Sequence, residues 1–331
     1  MVNNTTYEGV IFLGVKIGIP RALYFYKYYP FAKTFLTELG AEIIPSPETN
    51  KEILNTGSRY CIDDACLPVK VCHGHIDNLK DKVDFILVPR LTSISSKEYI
   101  CPKFGGLPEM VKFSMTELPP ILDIEFDLYK KKTNLVKSLY SLGFTINKNP
   151  FKIRKAIKKA LWKHKLYKSS LLKGYSPEWL IDGVKRNAPT KSPLIGIVSH
   201  PYLLYDNFLN MGLQEKLYKN NIKYITPEMI SPKTIDDICN DLEKRMFWSS
   251  GKAIIGSALY MMNNDKIDGI LMLTSFGCGI DSLALDLITR LANESYDKPI
   301  MTLTFDEHTG EANFNTRLEA FMDLIHRRRG H

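Results

Sequence analysis

The sequence predicts an α/β fold of two Rossmann-like lobes with parallel sheets, joined by a helical segment and facing each other across a cleft. Three observations predict it. Short β-rich apolar runs alternate with amphipathic helical stretches at both ends of the chain, which is the pattern of parallel α/β sheets. The stretch between these ends is helical in period, basic, and punctuated by Pro119, Pro120, Pro150 and Pro177. A chain of 331 residues also suits two or three domains, at roughly 100–200 residues each.

Taken in order, residues 1–111 form the first lobe, with strands expected at Val15–Ile19, Glu42–Ile44 and Asp84–Val88 and a helix over Tyr26–Leu39 closed by Gly40. Residues 112–193 form the connecting helical segment. Residues 194–331 form the second lobe. Its expected strands are Leu194–Val198, Lys223–Thr226, Gly269–Leu273 and Ile300–Leu303, and its helices Leu203–Lys219, Asp236–Asn263, Asp281–Leu291 and Asn313–Arg327. In such sheets ligands collect beyond the carboxyl ends of the strands, so a site is expected in the cleft.

With 44% hydrophobic and 24% charged residues the chain reads as globular rather than disordered or fibrous. It has no apolar run of membrane-spanning length, and its N-terminal stretch lacks the basic start and cleavage site of a signal peptide. A cytoplasmic location, with no membrane association, is the expectation. The formal charge of +8 is concentrated in Lys152–Lys173 and in Arg327, Arg328 and Arg329. Ile153, Ile157, Ala160, Leu161 and His164 recur there at helical spacing, so the lysines read as a solvated face, with a docking surface for an acidic partner or phosphorylated ligand as the second reading. Nucleic acid is disfavoured, because no stacking motif accompanies the charge.

Reducing cytosol makes cysteines thiol or metal chemistry rather than disulfides. The stretch YCIDDACLPVKVCHGH holds Cys61, Cys66 and Cys72 together with His73 and His75. Cys101 lies in EYICPKFGG and Cys278 in LTSFGCGID, just after an expected strand and before an expected helix. Cys66, Cys101 and Cys278 each occupy a loop marked by Gly or Pro, and a helix N-terminus after Cys278 favours negative charge there. Their wide separation excludes a zinc finger. A cubane cluster is instead held by distant loops, and three thiolates on a four-iron cluster leave one iron open to water or a substrate oxygen. Cys239, on an amphipathic stretch, reads as core. Cys61 and Cys72 are either further ligands or interior residues, and His73 and His75 are outer-sphere donors or core histidines. Glu307 and His308, in DEHTGEA beyond a strand, are either cleft residues or part of a capped polar loop. No P-loop, dinucleotide fingerprint, H-E-x-x-H or G-x-S-x-G occurs, so no nucleotide site is expected in this chain.

Several long segments carry a family resemblance: IGIPRALYFYKYYPFAKTFLTELG, DDACLPVKVCHGH, VPRLTSISSKEYICPKFGGLP, SHPYLLYDNFLNMGL, SFGCGIDS and TLTFDEHTGEANFNTRLEAF. They resemble the acyl-CoA dehydratase activase-related proteins, relatives of the 2-hydroxyacyl-CoA dehydratase subunits and the double-cubane cluster proteins. The resemblance implies an oxygen-sensitive [4Fe-4S] cluster on Cys66, Cys101 and Cys278. It also implies low-potential electrons from a separate ATP-dependent iron-sulfur activase, since no D-x-G-x-[ST] phosphate loops occur in these residues. An acyl-CoA or other small-molecule substrate and assembly as a homodimer or heterodimer are further implications. Cys61 and Cys72 depart from the family pattern, so a double-cubane [8Fe-9S] cluster stands as the alternative. Lys70, His75, Glu307 and His308 are the residues expected to tune the cluster through charge or hydrogen bonds. The rival reading is a non-redox scaffold or regulatory binding module of the same fold, with zinc or no metal.

Overall fold

The computed structural model describes residues 14–131, 133–184, 192–295 and 298–329. The N-terminal stretch weighed as a signal peptide, through residue 13, and residues 185–191 of the connecting segment lie outside them. In the first lobe, β1 (Lys16–Ile19), α1 (Phe25–Leu39), β2 (Glu42–Pro45), α2 (Lys51–Tyr60), α3 (Leu67–Leu79), β3 (Phe85–Leu87), β4 (Arg90–Ser93), α4 (Pro102–Gly105), α5 (Leu107–Ser114), β5 (Ile121–Leu122) and β6 (Glu125–Asp127) follow in order. A wholly parallel sheet runs β2-β1-β3-β5, and β4 pairs with β6, also in parallel. The segment expected to be helical from residue 112 onward therefore first completes this sheet. Two- and three-residue strands carry too few residues to show a period of two.

Helices α6 (Asn134–Ile146), α7 (Pro150–Leu172) and α8 (Pro177–Asp182) make the connection. The basic helix α7 lies along α1 with Ile153, Ala156, Ile157 and Ala160 buried, and its Tyr167 hydroxyl donates to the Tyr26 carbonyl at 2.5 Å. Its lysines point mostly to solvent.

The second lobe comprises β7 (Leu194–Val198), α9 (Pro201–Leu204), α10 (Leu213–Lys219), β8 (Lys223–Ile225), α11 (Pro232–Asn240), α12 (Ser249–Met262), β9 (Gly269–Ser275), α13 (Gly279–Ser295), β10 (Ile300–Phe305) and α14 (Glu311–Arg329). Its parallel sheet runs β10-β9-β7-β8. Every residue of β9 is buried, as a central strand covered on both faces requires. The two lobes do not merely face each other: one apolar core runs through both, from Ile17 and Leu36 to Leu271 and Phe305.

Two expected helices are broken. Leu203–Lys219 is interrupted where the Asp206 carboxylate accepts from the Phe208 and Leu209 amides and Met211 and Gly212 adopt positive φ, side-chain capping that competes with the helix. Asp236–Asn263 is interrupted where Phe247–Ser249 leaves the helix to bond the backbone of Tyr99 in the first lobe.

Candidate functional site

Each of the three singled-out cysteines stands at the start of a helix. Cys66 is the N-cap of α3 with Pro68 in the first turn, Cys101 is the N-cap of α4 with Pro102 following, and Cys278 directly precedes α13. Proline is favoured there because its missing N–H costs no helical bond. The three line one small pocket at the seam of the lobes, with Lys103, His200 and Ser250.

Packing on each side brings them together. Helices α2 and α3 cross backbone against backbone: a Cβ on Gly57 would stand 1.9 Å from the Lys70 carbonyl oxygen, and one on Gly74 1.9 Å from that of Ile53. Only glycine allows that crossing, and it sets the start of α3. The Cys101 loop is tied to the second lobe by Tyr99, whose amide donates to the Phe247 carbonyl at 2.8 Å. Glu98 adds an ion pair to Lys252, which also holds Asp236 at 2.5 Å. Cys278 is placed by β9 and by Gly277, whose φ of 75° puts it in the left-handed region. A Cβ there would meet the Cys66 Cα at 3.4 Å, so the two loops are in near contact.

Burial raises the Cys101 and Cys278 thiols above the ordinary thiol range. The backbone N–H groups of Lys103 and Asp281 act in the opposite sense on Cys101 and Cys278 respectively. Neither Cys66 nor Cys101 forms a regular side-chain cap bond; the Val69, Lys70 and Phe104 amides bond the cap carbonyls, which leaves the Leu67 and Lys103 N–H groups without an intrahelical backbone partner beside the thiols. Thiols in this state bind a cation by exchanging protons for it. The donor set fits a thiolate-ligated group: three cysteines lining one pocket suit iron-sulfur chemistry better than a hard oxygen-ligated ion. Among the described residues the Ser250 and Ser275 hydroxyls are buried without a hydrogen-bond partner, and Ser250 lines the pocket.

His200 and Asp281 were not singled out from the sequence. His200 sits beyond the carboxyl end of β7, buried, with Nε2 2.8 Å from an Asp281 oxygen and its ring stacked on Tyr202 at 4.9 Å. Burial opposes ionisation of Asp281, but His200 and the Thr274 hydroxyl more than offset it and hold the carboxyl low. Ligand atoms of His200, Cys278 and Asp281 lie within 4.8 Å of one another. Their signal was available: SHPYLLYDN follows an expected strand, at the sheet edge where ligands collect.

The other expected residues divide. The Lys70 ammonium, almost fully buried, reaches across the seam to Glu307 at 2.6 Å and donates to the Asp63 carbonyl at 3.0 Å. Burial opposes Glu307 ionisation, and Lys70 more than offsets it, keeping the carboxyl low. His308 is exposed and is absent from the pocket wall. Cys61 packs beside Cys66 but does not line the pocket, and burial lifts its thiol to about 11. Cys72 faces the apolar core, its thiol pushed up to about 12. His73 bonds back to the Val69 carbonyl at 2.8 Å. His75 is buried between Ser46 at 2.9 Å and Thr49 at 3.0 Å. Cys239 is core, between α11 and α12.

The fold and pocket define a class: a two-lobed parallel α/β protein with a thiol-lined site at the seam of its lobes. Residues 16–230 match the CoA enzyme activase uncharacterised domain (DUF2229), and the chain belongs to that family. The matched span includes Cys66, Cys101 and His200 and ends before Cys278. A comparison with curated proteins finds no match. Among the described residues no helix is long and apolar enough to cross a membrane.

Proposed function

We propose that this chain is an iron-sulfur electron-transfer or reductase component that receives low-potential electrons from a separate ATP-dependent activase. The observation that supports it is the meeting of Cys66, Cys101 and Cys278, three thiols from distant parts of the chain, at helix N-termini around one pocket. These cysteines would hold a [4Fe-4S] cluster, which supplies one-electron chemistry and, with three protein thiolates, an iron open to a substrate oxygen. Lys103 at the pocket and the N-termini of α3 and α13 favour negative charge there. His200 Nε2 donates to Asp281 and keeps a nitrogen-borne proton beside Cys278.

Ile62, 75% exposed in the loop leading to Cys66, and Phe276, 65% exposed in the loop leading to Cys278, offer an electron-donating partner apolar contacts close to the thiols. The placement of Cys72 away from the pocket favours one cubane over a double-cubane cluster. A 2-hydroxyacyl-CoA or another small molecule is the substrate class that the sequence resemblance suggests. A second reading, a non-redox module holding zinc, rests on the proximity of His200, Cys278 and Asp281.

Anaerobic purification and reconstitution followed by iron, acid-labile sulfide and zinc analysis tests the proposal. About four irons per chain with matching sulfide is the expected result, about eight would indicate the double cubane, and zinc alone would overturn the redox reading.

A further inference from the structure

A second cavity, of about 350 Å³, lies in the first lobe between α1, α6, α7 and the β3–β4 strands, within the size range of roughly 300–1,000 Å³ typical of small-molecule sites. Its wall is apolar, with Phe31, Phe35, Leu91, Leu135, Leu139 and Leu142 among its residues. Ser93 also lines it, but that hydroxyl is occupied by the Ser95 and Glu98 carbonyls. At its inner end the cavity shares Leu23, Tyr24 and Phe104 with the thiol pocket, and Tyr24 stacks on Phe104 at 4.7 Å.

The rim toward α7 differs from the wall. Leu161, His164 and Lys168 form it. Nδ1 of His164 is buried without a hydrogen-bond partner among the described residues. Lys168 makes no hydrogen bond or ion pair among the described residues. The Lys27 ammonium, near both, lies over the Tyr24 and Tyr28 rings at 5.1 and 5.7 Å. Burial, together with the mutual repulsion of Lys27 and Lys168, lowers the Lys168 ammonium, and burial followed by both lysines pushes His164 down to about 4. The Glu228 carboxylate attracts Lys27 but does not close an ion pair with it. An anion at this rim would relieve the repulsion between two cations and supply the missing partner for His164.

We propose that this cavity binds a long-chain monocarboxylate, with its hydrocarbon tail among the leucines and phenylalanines and its carboxylate at Lys168 and His164. One ammonium, Lys168, and one imidazole, His164, with no guanidinium among the lining residues, match the single charge of a carboxylate better than that of a phosphate dianion. The site needs no metal, and Cys66, Cys101 and Cys278 do not line it.

Calorimetric titration of laurate into the full chain tests this. One site per chain is expected, with dodecanol binding roughly tenfold or more weakly, the equivalent of losing one charge-assisted contact. The Lys168 side chain keeps solvent contact although its ammonium is partly desolvated at the rim, so Lys168→Glu keeps the fold by circular dichroism and weakens laurate by roughly tenfold or more. Leu139→Trp and, independently, the half-buried Ala32→Phe fill the cavity and abolish binding while iron content after reconstitution stays at the parent level. The proposal is overturned if laurate does not bind, if dodecanol binds equally, if Lys168→Glu binds undiminished, or if lauroyl-CoA binds where laurate does not.

Discussion

The two ends of helix α3 carry different chemistry although they share one short sequence motif. At its start Cys66 caps the helix at the seam pocket, where the Leu67 N–H has no intrahelical partner. Two turns on, Cys72 sits mid-helix in apolar packing and His75 reaches a buried polar network of Ser46, Thr49 and, through Thr49, Asp206 of the second lobe. Both ends bind the lobes together, one through Lys70 and Glu307 and the other through Thr49 and Asp206. A helix terminus leaves a thiol available to a ligand. A helix interior, with its backbone satisfied, leaves a thiol only packing to do.

The largest effect that sharpens this contrast concerns the inner network. Burial holds the Asp206 carboxyl up at about 6 and drives the His75 imidazole down to about 3. Between about pH 4 and pH 6 the native Asp206 keeps a proton that the unfolded chain loses, so its contribution to stability falls as pH rises. The unfolded His75 binds a proton that the native one does not, so its contribution rises over the same window. The two oppose each other. Asp206→Asn removes the falling contribution, and its stability should rise relative to the parent by roughly 2–3 kcal/mol from pH 4 to pH 6 in denaturant titrations. Parallel profiles for parent and variant would show that Asp206 is not held protonated.

At the pocket end, Glu307→Gln leaves the buried Lys70 ammonium with neutral acceptors alone, the introduced amide oxygen and the Asp63 carbonyl. A fully buried pair would lose about 3–5 kcal/mol when one partner is removed, but Glu307 is partly exposed, so a loss of roughly 2 kcal/mol is expected. Urea unfolding measures it. A change within about 0.5 kcal/mol would mean that the Lys70–Glu307 pair adds nothing to the joining of the lobes.

Much of this architecture was legible because the central strands are continuous apolar runs. Leu194–Val198 matches its expected range, and β1, β2, β9 and β10 lie within two residues of theirs. The short strands β5 and β6 and the helices α2 and α3 were not visible, since α3 is buried on nearly every face and shows no amphipathic stripe. The helix breaks at Asp206–Gly212 and Asp241–Trp248 had different origins. The first was local, written in the Asp, Asn and Gly of YDNFLNMG; the second depends on a backbone pairing with Tyr99 that no local pattern can reveal.

For the site, Gly and Pro around Cys66, Cys101 and Cys278 pointed to the three thiols that converge. His200 escaped because a single histidine after a strand is uninformative until Asp281 is seen beside it. Cys72 stayed ambiguous for a similar reason: which way a cysteine on a wholly buried helix faces depends on its neighbours in space.

The central claim is that Cys66, Cys101 and Cys278 hold one iron-sulfur group and Cys72 does not. Iron content and visible absorption after anaerobic reconstitution of Cys66→Ala, Cys101→Ala, Cys278→Ala and Cys72→Ala test it most directly. The first three should each lose the chromophore with the fold intact by circular dichroism, while Cys72→Ala retains it and loses only about 1 kcal/mol of stability. A chromophore that survives loss of any pocket cysteine, or disappears with Cys72, would contradict the account.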